Sequence, residues 1–269
     1  LVTFKNNQIL NLSMDSKIIF LGTAGHDAVG KQAAASGGIV IQTEKHQIHI
    51  DPGPCTLIRA LQTKINLKET DILLVSHNHL SHCNDMNLVI QKMTNYHQEK
   101  RGTLITTKEV LPMIIQNNLK EVVALEPGKT HEVDTIRIRA LKAIHSAETI
   151  GFKIFTPKFV VVYSADTSYS SDLIEEYKGA DILILNVLGD EKTKYNLNTD
   201  DAVKIINKVD PKLTIITHFN NDTLSKDPLY RAREMQKATN HQIIAATDGL
   251  EIEPISYAAT SNQKTLYLY

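Results

Sequence analysis

A chain of 269 residues, 42% apolar and 22% charged, carries enough apolar material for a sizeable core in one large domain or two small ones. Its 29 basic and 30 acidic residues leave a formal net charge of −1, so no whole-molecule field gathers nucleic acid or an anionic membrane surface. Two cysteines, Cys55 and Cys83, are too few for a disulfide framework. No apolar run is long enough to span a bilayer, and residues 1–16 lack the order of a secretory signal. The expectation is a cytoplasmic protein with reduced thiols and no membrane partner.

In chain order, residues 1–13 precede the first strong strand as an extension, in which Val2–Lys5 and Gln8–Leu12 have the pattern of an extra hairpin. Strands are expected at Lys17–Leu21, Gly38–Thr43, Gln47–Ile50, Ile72–Ser76 and Thr103–Thr106 in the first half. In the second half they fall at Thr135–Ala143, Phe159–Tyr163, Ile182–Leu185, Leu213–Thr217 and Gln242–Ala245. Helical spacing marks Leu57–Thr63, Asp85–His97, Lys108–Asn117, Asp172–Tyr177, Thr199–Lys208 and Leu229–Thr239. No repeat or linker interrupts the chain, which reads as one domain over 1–269. Strand-rich blocks each followed by helices suggest two packed sheets with helices outside. The uninterrupted apolar runs Ile72–Val75, Phe159–Val162 and Ile182–Leu185 suit strands buried on both faces.

The densest chemical signal is Ser76-His77-Asn78-His79-Leu80-Ser81-His82, where three of the 11 histidines fall within six residues. His77 and His79, two apart just past a strand, project to one side of an extended backbone. His82, three further on, joins them if the chain turns into a helix. Such a corner aims three imidazoles at one point, the donor set that zinc and its neighbours favour. His145, Asp166 and His218 each follow a later strand, so four apolar strands in one chain end in candidate metal ligands.

This order resembles the metallo-β-lactamase superfamily, whose His-x-His-x-Asp-His signature is followed by a His, an Asp and a His after later strands. Gly22-Thr23-Ala24-Gly25 resembles the family's opening turn, and Asp51-Pro52-Gly53-Pro54 a turn beside its metal site. Thr247-Asp248-Gly249 resembles an Asp-Gly of the ribonuclease Z-like and phosphodiesterase-like members. The resemblance, covering about Lys17 to Glu253, implies an α/β fold of the four-layer αββα sandwich type with a dinuclear zinc site. Carried over, His77, His79 and His145 hold the first metal, His82 and His218 the second, and Asp166 bridges them. Asp166 and His218 would then serve catalysis, and a metal-bound hydroxide would do the hydrolysis.

One position departs from the pattern. Ser81 stands where the signature has Asp, so the second metal loses a charged ligand, and Asp85 is the nearest carboxylate that could replace it. One zinc ion or two, the second weakly held, fits this set, and iron or manganese fits it too. Asp51 reads as a carboxylate supporting a ligating histidine, with Ser81 also just outside the ligand set. Cys83 could approach the metal but reads as a packed thiol. His26 alone of the other histidines is expected near the pocket, while His46 and His49 read as surface residues flanking a strand. The expected partner is a small-molecule substrate, first a small phosphodiester or related ester, and a homodimer is compatible. Lactones, thioesters and β-lactams stay open. Two alternatives also stand: a mononuclear iron redox enzyme, and a lapsed hydrolase serving as a metal-containing binding module.

Overall fold

The structure is a computed structural model, describing residues 16–28, 34–115 and 118–258. The expected hairpin within residues 1–13 lies outside these. In the first half, β1 (Lys17–Phe20), β2 (Ile39–Gln42) and β3 (Gln47–Ile50) lead to α1 (Thr56–Gln62) and β4 (Thr70–Leu74). There follow α2 (Leu80–Cys83), α3 (Met86–Met93), β5 (Thr103–Thr106) and β6 (Glu121–Ala124). The second half begins with β7 (Thr130–Val133), β8 (Ile136–Lys142), β9 (Ile150–Phe155) and β10 (Val160–Tyr163). It continues through α4 (Asp172–Tyr177), β11 (Ile182–Gly189), β12 (Leu197–Asn198), α5 (Thr199–Val209) and β13 (Leu213–Thr217). Next come α6 (Asn221–Ser225), α7 (Pro228–Thr239) and β14 (Ile243–Ala245), and β15 (Glu251–Ile252) returns to the first sheet.

The first sheet has the order β15-β1-β2-β3-β4-β5-β6, parallel from β3 to β6, and the second runs β14-β13-β11-β10-β9-β8-β7, parallel from β14 to β10. β12 adds to β11 off that path. Alternation along each strand sorts the core into three layers. Ile72 and Leu74 of β4 meet Val161, Tyr163, Ile182 and Ile184 between the sheets. Leu73 and Val75 face outward onto Ala60 of α1 and Met86, Val89, Ile90 and Met93 of α3. Val162, Leu183 and Leu185 face α4, α5 and α7. Strands covered on both faces must be apolar throughout, which is why these runs lack a polar period. The αββα sandwich expected from the sequence is the fold observed.

Helix spacing follows the same demand. The apolar residues of α3 fall at i, i+3, i+4 and i+7, and α5 begins where Asn198 Oδ1 accepts from the Asp201 amide at 2.9 Å. The expected helix at Asp85–His97 stops at Met93, because Asn95, Tyr96 and His97 take positive φ and reverse the chain. At Lys108–Asn117 the described residues form only turns and a short 3-10 helix, Leu111–Met113, centred on Pro112, which removes an amide donor. Residues 116–117 are outside the description.

β6, β7 and β9 were not expected as separate strands. β6 and β7 sit at sheet edges, where exposure weakens the apolar signal. β9 carries Gly151, where a Cβ would come within 2.7 Å of the Tyr163 carbonyl oxygen. Two histidines need correction as well. His46 and His49 are buried, not superficial: all four residues of β3 are covered, and the His49 ring bonds the Gly37 carbonyl at 3.0 Å. Burial lowers its pKa to about 4, so it is a neutral core histidine.

Candidate metal centre

β4, β8, β10 and β13 all point their C-terminal ends to the same rim of the sandwich, and each is followed by one of the expected ligands. After β4 the chain stays extended through His79, whose φ and ψ are −68° and 138°, so His77 and His79 face the same way. It then turns into α2, where the His82 amide donates to the His79 carbonyl at 2.9 Å. That turn brings the His82 ring to 4.1 Å from the His77 ring, centroid to centroid. Gly53 permits the turn, since a Cβ there would lie 2.0 Å from the Ser81 carbonyl oxygen.

The later ligands arrive on stitched loops. The Ile144 amide donates to Thr167 Oγ1 at 2.9 Å, and the Ser168 amide to the Ile144 carbonyl at 2.9 Å, tying the His145 loop to the Asp166 loop. His218 takes φ 65° directly after β13. The Phe219 amide donates to Thr23 and the Gly25 amide to Phe219, so the Gly22-Thr23-Ala24-Gly25 turn grips this loop. A side chain at Gly25 would press on both the backbone and the ring of His218.

All six expected ligands converge. His79 Nδ1 lies 3.0 Å from His77 Nε2 and 3.1 Å from His145 Nε2. Asp166 Oδ2 lies 3.3 Å from His218 Nε2, 3.5 Å from His82 Nε2 and 3.8 Å from His145 Nε2. One ligand atom from each of His77, His79 and His145 falls within 4.8 Å of the others, and the same holds for His77, His82 and Asp166.

The outer nitrogens fix which inner ones are free. Ser76 Oγ donates to Asp51 Oδ2 at 2.7 Å, so it must accept at its lone pair from His77 Nδ1–H, 2.9 Å away. The Tyr195 carbonyl accepts from His145 Nδ1 at 2.9 Å, and Asp51 Oδ2 accepts from His82 Nδ1 at 2.8 Å. With Nδ1 carrying a proton in each, Nε2 is the nitrogen turned to the centre, and it offers a lone pair whenever the ring is neutral. His82 Nε2 and His218 Nε2 are buried and find no hydrogen-bond partner, as does Ser81 Oγ. Buried polar atoms without partners are rare, and several lone pairs aimed at one place suit a cation.

Asp51, beside the ligands as expected, gathers four donors. The Ser76 amide and hydroxyl, Tyr163 Oη and His82 Nδ1 all reach it within 2.8 Å. Asn186 Nδ2 donates to Asp166 Oδ1 at 2.8 Å, leaving Oδ2 for the centre. Tyr163 and Asn186 were missed in the sequence, although Tyr163 ends β10 and Asn186 interrupts the apolar run of β11. Asp85 does not replace the missing carboxylate. Its oxygens accept from the Thr56 amide at 2.9 Å and from Asn84 Nδ2 at 2.8 Å. Cys83, the last residue of α2, is packed in the outer layer of the first sheet, its thiol against the Asn78 carbonyl at 3.4 Å, and burial raises its pKa to about 12.

Electrostatics divide the centre. Burial first, then the neighbouring imidazoles, hold His77 well below its ordinary pKa, and His79 is lowered for the same reasons. Burial also works against a charge on His82, but the Asp166 and Asp51 carboxylates outweigh it and raise the ring to about 10. Asp166, despite burial, is held well below the carboxylate range by His218 and His82. His77 and His79 thus favour neutral imidazoles, while the carboxylates beside His82 draw positive charge to it.

Two spaces adjoin the centre. A polar cavity of about 30 Å³, bounded by Asp51, Ser81, His82, Tyr163, Asn186 and His218, lies on the His82 side. An open cleft of about 600 Å³ lies over His79, His145 and Asp166, walled by His26, Pro54, Leu80, Tyr195 and Asn196. His26 is therefore at the cleft, as expected, whereas Tyr195 and Asn196 carried no sequence signal.

A family profile described as a beta-lactamase superfamily domain matches residues 46–219. A Methanocaldococcus jannaschii protein described as uncharacterized is 31% identical over 256 residues, 89% of this chain and 96% of its own. A metal-dependent hydrolase of Thermoplasma acidophilum is 27% identical over 168 residues, 59% of this chain and 70% of its own. Among solved structures, the metallo-β-lactamase fold protein YhfI from Bacillus subtilis superposes with a TM-score of 0.75 at 20% identity, covering 88% of this chain and 99% of that one. A diphosphatase of the PhnP family gives 0.70 at 20% identity, over 88% and 97%.

Proposed function

The chain belongs to the metallo-β-lactamase superfamily, and we propose from that premise that it is a zinc-dependent hydrolase of small phosphodiesters. One observation carries the metal reading: buried imidazole nitrogens and Asp166 Oδ2 turn their lone pairs to a common centre, and two of those nitrogens lack any other partner. His77 Nε2, His79 Nδ1 and His145 Nε2 would hold one ion, His82 and His218 a second, and Asp166 both. Bound there, zinc lowers the pKa of a coordinated water towards neutrality and polarises the bond under attack.

The protein's own groups do the rest. Asp51, Ser76 and the Tyr195 carbonyl hold three imidazoles in the tautomer that leaves Nε2 free. Asn186 turns Asp166 so that Oδ2 faces the centre. Ser81 supplies no charge to the His82 side, so the first ion binds tightly and the second loosely.

An anionic ester is favoured because Asp166 is the one acidic residue bounding the cleft among the described residues, and metal ions would neutralise it. The likeness to a diphosphatase and to the phosphodiesterase-like Asp-Gly at Asp248-Gly249 supports the same choice. The test is turnover of bis(p-nitrophenyl) phosphate beside p-nitrophenyl acetate, a lactone and a β-lactam, before and after chelation. Chelator-sensitive cleavage of the phosphodiester, foremost among the four, is expected. Absence of bound metal, or cleavage of carbonyl substrates alone, would overturn the reading.

A further inference from the structure

The chain between β11 and β12 leaves the second sheet at Gly189 and returns at Leu197, and Tyr195 and Asn196 on it form one wall of the cleft. The loop is braced at both ends. Asp190 accepts from Arg231 at 2.8 Å and from Thr199 Oγ1 at 2.6 Å, and Asn198 Nδ2 donates to its carbonyl at 3.1 Å. Nearer the tip, Thr193 Oγ1 accepts from the Asn196 amide at 3.1 Å. Tyr195 is fixed again by its own carbonyl, which takes the His145 Nδ1 proton.

That bond uses the backbone alone, so the Tyr195 ring is not needed to orient His145. The ring instead stands half-buried at the cleft, 6.1 Å from the His145 ring and nearly perpendicular to it. Lys194 Nζ lies over the Tyr195 ring, 4.9 Å from its centroid. Pro54 and Leu80 line the same cleft with apolar surface, and Leu80 is 62% exposed beside His79. An aromatic ring held on a braced loop, lining one cleft with apolar side chains beside the candidate metal centre, matches a flat group flanking the scissile phosphate, and base–aromatic stacking needs no sequence of hydrogen bonds.

We propose that Tyr195 is a specificity-determining residue, stacking a planar heterocycle of the substrate so that the cleft selects nucleotide-like phosphoesters over esters without a ring. The inference rests on the phosphoester reading above, and the experiment separates the two. Binding of adenosine monophosphate and of ribose 5-phosphate to the zinc-loaded protein is compared by calorimetry. The two ligands share sugar and phosphate and differ by the ring. Adenosine monophosphate should bind more tightly than ribose 5-phosphate, by roughly five- to a hundredfold, the usual worth of one stacked base. Tyr195→Ala should collapse that ratio towards one, and Tyr195→Phe should keep most of it. Zinc content of both variants should match the unaltered protein, because the carbonyl that holds His145 remains. Equal binding of the two ligands to the unaltered protein, or an equal loss for both in Tyr195→Ala, would overturn the role of Tyr195 and leave the phosphoester reading standing. Binding of neither would remove both.

Discussion

The two ends of the sandwich each hold histidine against carboxylate, to opposite effect. At the rim formed by the C-terminal ends of β4, β8, β10 and β13, imidazole nitrogens crowd within 3.0 and 3.1 Å of one another, and others are buried without partners. At the far end, His46 stands in the β2–β3 turn with both nitrogens engaged. Nδ1 meets Asp71 Oδ2 at 2.7 Å, and Nε2 meets Asp134 Oδ2 at 3.2 Å. Asp71 belongs to β4 of the first sheet, and Asp134 to the β7–β8 turn of the second, so His46 clasps the two sheets together. A histidine satisfied on both nitrogens has nothing left for a ligand. One paired outside and bare inside is set for a cation.

The largest expected effect breaks the rim. His77→Ala or His79→Ala should abolish turnover and lower the melting temperature, since binding of metal to the folded state alone stabilises by about 2.7 kcal/mol at a hundred times its Kd. Zinc analysis and melting curves on each variant check this, and unchanged zinc content would contradict it. Asp51→Asn tests the support behind the rim. Its four donors converge on a carboxylate, and losing that charge should weaken metal binding about 10- to 100-fold with a smaller change in fold. Titration with a competing chelator gives the number.

At the clasp, His46→Gln should cost roughly 1–3 kcal/mol while leaving zinc content untouched. The pH dependence has a definite sign. Bonding to Asp71, acting against burial and helped by Asp134, raises the His46 pKa above 6.5. Its contribution is therefore complete below pH 6.5 and fades as pH climbs through the raised value. Urea midpoints of the parent and His46→Gln should differ more at pH 6 than at pH 9. An equal gap at both, or loss of zinc, would erase the contrast between the ends.

The sequence carried the rim more plainly than the clasp, for physical reasons. A ligand that ends an apolar strand is visible because the strand announces where its C-terminal end lies, and His77, His79, His82, His145, Asp166 and His218 all sit at such places. His46 was misread because its partners lie 25 and 88 positions away, and nothing local marks a turn whose side chain is covered by another sheet. Asn186 was legible in principle: an amide within the fully buried β11 needs a reason, and Asp166 supplies it. Tyr195 was not, because its bond to His145 comes from the backbone, which is the same for every residue. The helix over Asp85–His97 ran too long because periodicity does not register the positive φ values that end it.

Ser81 decides whether the rim itself is symmetric, and the direct measurement is zinc occupancy resolved by site. Crystals grown with limiting zinc and measured at the zinc absorption edge should show a strong anomalous peak among His77, His79 and His145, and a weak one or none among His82, His218 and Asp166. Ser81→Asp should bring the second peak towards the first. Equal peaks in the unaltered protein would contradict the asymmetry, and no peak at either position would contradict the metal centre itself.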